Sequence, residues 1–131
     1  MKVITEKLLT PFGLKSLSPD DPEYIGYYEG DRYMRDSAYH RGTVWSWLMG
    51  PYIRGLLKFN NGNESVREFC LNLIKTFTTH LSDGCIGSVS EIFDGEFPNN
   101  PKGCFAQAWG VAELIRALRI IKTDKGARYD I

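Results

Sequence analysis

Apolar residues recur along this chain in three helical stretches, separated by long segments of no fixed period. Between Glu64 and Leu81 the positions Val66, Phe69, Cys70, Leu73, Phe77 and Leu81 follow i, i+3, i+4, i+7 spacing, while Glu64, Arg67, Glu68, Lys75 and Thr78 take other faces. The spacing predicts an amphipathic helix closed by Asp83-Gly84, with Asn60-Asn61-Gly62-Asn63 ahead of it as turn and cap. An earlier helix is predicted over Thr43–Phe59, capped by Thr43 and apolar at Val44, Trp47, Leu48, Ile53, Leu56 and Leu57. Pro51 inside that span either kinks it or marks its true beginning after a tight turn. The last helix, about Cys104–Lys122, carries one apolar row of Trp109, Ala112 and Ile115 and another of Val111, Leu114, Leu118 and Ile121. A helix apolar over so much of its circumference is expected to be buried from several sides.

The intervening segments are of a different kind. Lys2–Leu9 reads as a short helical piece stopped at Pro11. From Thr10 to Gly42 no period holds, yet five tyrosines (Tyr24, Tyr27, Tyr28, Tyr33 and Tyr39) fall in the stretch. Long irregular segments are functional or disordered, and disordered ones are poor in aromatics, so this one reads as an ordered functional loop. Cys85–Gly103 is a second such loop, in which Ser88–Phe93 reads as a short strand or extended piece and Pro98-Asn99-Asn100-Pro101 as irregular backbone. Thr123–Ile131 reads as a fraying polar tail. Three long helices, one short helix, long ordered loops and no strong strand predict an all-α fold, a single domain over residues 1–131.

Composition narrows the function classes. The 131 residues hold 16 Lys+Arg against 16 Asp+Glu, so nothing predicts attraction to nucleic acid or to an anionic membrane surface. No apolar run is long enough to span a membrane, and no signal peptide is legible at Met1–Leu9, which carries Glu6. Cys70, Cys85 and Cys104 are odd in number and too far apart for a paired-thiol motif, which favours a reduced, cytoplasmic setting, with Cys70 as a buried free thiol. His40 and His80 are too far apart in sequence to announce a metal site, and neither metal nor cofactor is expected.

Three stretches combine aromatic, amide and charged side chains beyond what a core needs. Gly87–Phe97 holds Glu91, Asp94 and Glu96 on a glycine-flanked loop, the arrangement that acid–base chemistry uses and that ordinary solvated loops also show. Asp36–Trp47 brings Asp36, Tyr39, His40, Arg41 and Trp45 up to a predicted helix start, where the plain alternative is a capping segment with a buried tryptophan. Cys104–Gly110 opens the last helix with Gln107 and Trp109, and on its physics alone Trp109 reads as a core residue rather than a ligand platform. All three run from a loop into a helix, and antiparallel helices would gather them at one end as a sugar-binding cleft.

Five motifs then carry a family resemblance: Thr10-Pro-Phe-Gly-Leu, Leu17-Ser-Pro, Tyr39-His-Arg-Gly-Thr-Val-Trp-Ser-Trp, Gly87-Ser-Val-Ser-Glu-Ile-Phe-Asp-Gly and Cys104-Phe-Ala-Gln-Ala-Trp-Gly-Val-Ala-Glu. In order and spacing, from about Leu8 to Leu118, they resemble the C-terminal part of the amylo-α-1,6-glucosidase domain of prokaryotic glycogen debranching enzymes. The resemblance implies part of an (α/α)6 barrel with its active site at one end, acting on the single α-1,6-linked glucose left at a branch point of glycogen or limit dextrin. It implies Glu91 as the general base of an inverting reaction, in which the two carboxyls stand roughly 6.5–9.5 Å apart. It implies His40, Arg41, Trp45, Gln107 and Trp109 as the lining of the glucose subsite, with Asp36 and Tyr39 from the same motif.

Two departures accompany the resemblance. The family's Trp-Pro-Trp is Trp45-Ser46-Trp47 here, a change expected to affect the start of the helix more than the chemistry. The barrel also needs many more helices than this chain supplies, and the family's acidic Asp lies in a part of the domain not represented. The chain is therefore expected to be a C-terminal third of a catalytic domain, inactive alone, with α-glucan as ligand and a complementary barrel fragment or a second copy as partner. A non-catalytic glucan-binding domain and a self-associating helical domain are the alternatives.

Overall fold

A computed structural model describes residues 1–84 and 86–123. The predicted tail at Thr123–Ile131 falls, past Thr123, outside the described residues.

The expectation of an all-α fold, a part of an (α/α)6 barrel, is overturned. Five short strands form one antiparallel sheet in chain order: β1 (Leu9–Thr10), β2 (Gly13–Lys15), β3 (Val44–Trp45), β4 (Ile92–Phe93) and β5 (Pro101–Lys102). Leu14 pairs with Trp45, Val44 with Phe93 and Ile92 with Lys102. Each strand is only two or three residues long, too short to show an alternating pattern, and its partners are mostly distant in sequence. The sheet therefore leaves no local signature.

Among the described residues five α-helices stand around it: α1 (Lys2–Lys7), α2 (Arg32–Ala38), α3 (Met49–Phe59), α4 (Glu64–His80) and α5 (Ala108–Thr123). The segment read as one irregular loop over Thr10–Gly42 contains both the β1–β2 hairpin and α2. In α2 only Ala38 is buried, so no apolar stripe announces the helix, although the Asp31 side chain caps it by accepting the Met34 N–H. The helix expected to start at Thr43 starts later: Val44 and Trp45 are strand, Ser46–Leu48 is a 3-10 turn and Met49 opens α3. Pro51 sits in the first turn of α3, where an N–H would have no intrahelical partner. Asn63 caps α4 through its side chain, which accepts the Ser65 N–H.

α3 is the centre of the fold. Its buried face of Met49, Tyr52, Ile53, Leu56 and Leu57 meets Leu114, Ala117 and Ile121 of α5 and Cys70 and Phe77 of α4. Fully burying side chains of this size contributes about 1.5–3 kcal/mol each. Gly50 lets α5 approach, because a Cβ there would run into Glu113. The two apolar rows of α5 part company: Leu114 and Ile121 are buried, whereas Trp109, Ala112 and Ile115 are exposed. This packing leaves the sheet ends, the Tyr39–Trp45 turn and the start of α5 together on one side.

Candidate active site

Glu91 stands immediately before β4, and its backbone is bound on both sides. Its N–H donates to the Cys104 carbonyl (2.8 Å), and its own carbonyl accepts from the Ser46 N–H (3.4 Å) and hydroxyl (3.2 Å). The side chain is held as firmly. Oε1 accepts from the Tyr39 hydroxyl at 2.5 Å and Oε2 from the Cys104 N–H at 3.0 Å. Gly103 makes room for this: its φ is +65°, and a Cβ there would lie 2.6 Å from Oε2.

Tyr39 connects this carboxylate to a cleft. Its ring meets those of Trp45 and His40 edge-on, with centroids 4.8 and 4.9 Å away. Its carbonyl accepts from the Trp45 indole (3.1 Å) and the Thr43 hydroxyl (2.6 Å), which closes the turn and fixes the Trp45 ring. Burial, and then the bond to Glu91, hold the Tyr39 hydroxyl well above the usual tyrosine range, so it remains a donor. His40 lies parallel to Trp45 at 5.2 Å, and Trp109 stands edge-on to Trp45 (6.0 Å) and stacks on Trp47 (5.8 Å). Ser16, His40, Trp45, Trp47, Leu48 and Trp109 line an open cleft of ≈ 280 Å³. The chain has three tryptophans, and all three are in it. Trp45 is 5% exposed, whereas Trp109, at 45%, offers a free face.

Comparison with known proteins decides the family. The family model described as amylo-alpha-1,6-glucosidase matches residues 1–116. The chain belongs to the amylo-alpha-1,6-glucosidase family. It is also similar to the glycogen debranching enzyme of Saccharomyces cerevisiae, with 35% identity over 69 residues, a match covering 46% of this chain and 4% of that protein.

Within this family member, the residues singled out in the sequence divide into two groups. Tyr39, His40, Trp45 and Trp109 join Glu91 through the contacts above. Asp36 does not: it faces Arg32 at 3.5 Å on the exposed side of α2. Arg41 is exposed, and its backbone ties the turn to Ala38 and Ile25. Gln107 acts through its backbone, donating to the Val89 carbonyl (2.9 Å) and accepting from the Val111 N–H as α5 begins.

Asp94 and Glu96 are engaged elsewhere. Asp94, 2% exposed, accepts the Tyr28 N–H at Oδ1 (2.9 Å) and faces Lys102 Nζ at Oδ2 (3.6 Å). Glu96 accepts the Tyr24 hydroxyl (2.8 Å) and faces Lys15. Among the described residues no group of three His, Cys, Asp or Glu gathers in a way that could hold a metal, and no helix is long and apolar enough to cross a membrane.

Four contributors escaped the sequence reading. Ser46, at the departure from the family motif, donates from its buried hydroxyl to the Ser90 (2.9 Å) and Glu91 carbonyls and so braces the backbone at Glu91. The Cys104 N–H and Gly103 act through backbone, which side-chain chemistry does not advertise. His80, fully buried against Phe12 and Phe93, accepts the Ser90 N–H at Nε2 (3.0 Å), which makes it a neutral imidazole with its proton on Nδ1. That Nδ1 has no hydrogen-bond partner among the described residues, and burial lowers the affinity of the ring for a second proton. A lone histidine on an otherwise apolar helix face was the available signal.

Proposed function

We propose that this chain carries the general base and the glucosyl cleft of an amylo-α-1,6-glucosidase, acting on glycogen or a limit dextrin. The observation that carries the reading is Glu91 held at both carboxylate oxygens, one tyrosine away from a cleft walled by His40 and three tryptophans. A carboxylate has about four lone-pair sites, so two accepted bonds orient Glu91 and leave capacity for a water.

In the reaction, water attacks the anomeric carbon from the face opposite the branch oxygen. Glu91 takes the proton that water gives up, the new C–O bond forms as the bond to the branch oxygen breaks, and an acid protonates that oxygen as it leaves. The product glucose has inverted configuration. Asp94 and Glu96 are committed to Tyr28, Lys102, Tyr24 and Lys15, which supports an acid supplied by another part of the catalytic domain. On this reading residues 1–131 are a C-terminal portion of that domain and need the complementary portion for turnover. The free thiols of Cys70 and Cys104 suit a reduced, cytoplasmic setting.

Tryptophan fluorescence tests the cleft directly, because no tryptophan lies outside it. Titration with isomaltose is expected to give a saturable change that Trp109→Ala abolishes. A flat titration of the wild-type chain would overturn the assignment.

A further inference from the structure

Glu91 owes its place to the backbone on either side of it, and one side chain grips that backbone at two points. His80, the last residue of α4, is fully buried. Its Nε2 accepts the N–H of Ser90, the residue before Glu91, at 3.0 Å. Its ring meets edge-on that of Phe93, two residues after Glu91, with centroids 4.7 Å apart. Phe12, from the turn between β1 and β2, stacks on Phe93 (4.8 Å) and lies against the imidazole (5.8 Å). Gly84 closes the niche from the loop, since a Cβ there would lie 3.1 Å from the Ser90 hydroxyl and 3.6 Å from the imidazole.

The neighbouring bonds run between groups that do not titrate near neutral pH. The Val89 carbonyl accepts the Gln107 N–H, the Ser90 and Glu91 carbonyls accept from Ser46, and the Glu91 N–H donates to the Cys104 carbonyl. Among these bonds, only that from Ser90 ends on a group whose protonation changes in this range. Nδ1 already carries the ring's proton, so a second one goes onto Nε2 and sets a donor against the Ser90 donor. The Ser90 N–H is then buried without a partner, a costly state that the segment relieves by moving. Burial of the ring opposes that second proton, and Asp83, just past the end of α4, is the charged group that favours it. From the β1–β2 turn and from β4 the ring meets only the uncharged Phe12 and Phe93. A niche walled by phenylalanines calls for no polar residue, and what the imidazole adds is a single acceptor for Ser90.

We propose that His80 is a positioning residue for Glu91. Its neutral imidazole fixes the peptide that precedes the carboxylate, and its protonation frees that peptide and draws Glu91 away from the Tyr39 and Cys104 donors. Turnover is then lost on the acid side as His80 becomes charged. The proposal rests on Glu91 being the general base.

NMR of the full chain tests the coupling, with pH lowered from about 7.5 through the histidine range. The Cys104 amide, which donates to Glu91 Oε2, reports the carboxylate, and the Leu57 amide in α3 serves as control. The Ser90 and Cys104 amides are expected to shift at the midpoint of the His80 ring while Leu57 stays in place. In His80→Gln, which keeps an acceptor but does not titrate, that step is expected to vanish. A Cys104 amide indifferent to His80, a step that persists in His80→Gln, or one that Leu57 shares through loss of the whole fold would each overturn the proposal. Glucose release from a limit dextrin, with the complementary part of the catalytic domain supplied, then reads the consequence. His80→Leu fills the niche but leaves Ser90 without an acceptor, so kcat is expected to fall about ten- to hundredfold with KM within about twofold. His80→Gln is expected to recover most of kcat and to lose less of it on acidification than the wild-type chain does. Equal kcat in His80→Leu and wild type, or an acid limb unchanged in His80→Gln, would overturn the proposal, and the second reading holds even where His80→Leu fails to fold. If Glu91→Gln stops release while the His80 variants behave as wild type, only this inference fails. If release survives Glu91→Gln, the base assignment itself fails.

Discussion

The Tyr39 hydroxyl and Glu91 Oε1 are 2.5 Å apart, although the two residues are separated by 52 positions in the chain. The bond joins the end of α2 to the segment ahead of β4 and couples the carboxylate to the aromatic cleft through one ring. Removing the donor in Tyr39→Phe is expected to cost about 1–2 kcal/mol, the usual loss for a partly exposed bond to a charged acceptor. The same substitution alters the alkaline limb of stability. The folded state holds the Tyr39 proton more tightly than the unfolded chain does, so the contribution is fully present below about pH 10 and is lost as pH rises from there toward the folded value. Thermal melts across this range are expected to show a shallower decline for Tyr39→Phe. A residual decline is expected from Tyr24, whose hydroxyl burial and Glu96 also raise.

Gly103 combines a left-handed backbone with close approach to Glu91. Gly103→Ala places a methyl against Oε2 and strains a φ of +65°, and about 1–2 kcal/mol of stability is expected to go with it. The Cys104 N–H should also lose its bond to the carboxylate. Amide NMR reads this as an upfield shift of Cys104 in the variant, and an unshifted Cys104 resonance would show the carboxylate undisturbed.

His80 predicts an acid limb. Its neutral ring accepts the Ser90 N–H, and burial depresses its folded-state proton affinity while Asp83 opposes the shift. Between the unfolded value of about 6.5 and the lower folded one, the unfolded chain binds the extra proton, so stability present above that range falls as pH drops through it. His80→Gln keeps an acceptor for Ser90 but does not titrate. Denaturant melts at successive pH values are expected to show the wild-type loss below about pH 6.5 and its reduction in the variant.

The parts of this fold that were legible in the sequence are those that repeat an apolar residue every turn. α4 and most of α3 and α5 follow from such stripes. The sheet does not, because Leu14, Val44 and Ile92 belong to strands of two or three residues that pair across long separations. α2 is exposed nearly all round and shows no apolar stripe, leaving only the Asp31 cap and the Arg32–Asp36 spacing to indicate it. For the site, the motif resemblance points to Glu91, Tyr39, His40, Trp45 and Trp109, which the fold gathers. The same resemblance includes Asp36, whose side chain faces Arg32, and Arg41 and Gln107, which enter through backbone bonds. Ser46, Gly103 and the Cys104 N–H stayed hidden because their parts are a hydroxyl aimed at carbonyls, a missing side chain and a backbone amide.

The central claim is that Glu91 performs chemistry beside a cleft that binds sugar without it. It is tested most directly by Glu91→Gln, with glucose release from an α-1,6-branched limit dextrin measured while the complementary part of the catalytic domain is supplied. The account predicts that release falls by about 10²–10⁴-fold, the span typical of losing an acid–base group, while fluorescence-detected binding of isomaltose stays within about twofold. Release that survives the substitution, or a loss of binding that matches the loss of release, would contradict it.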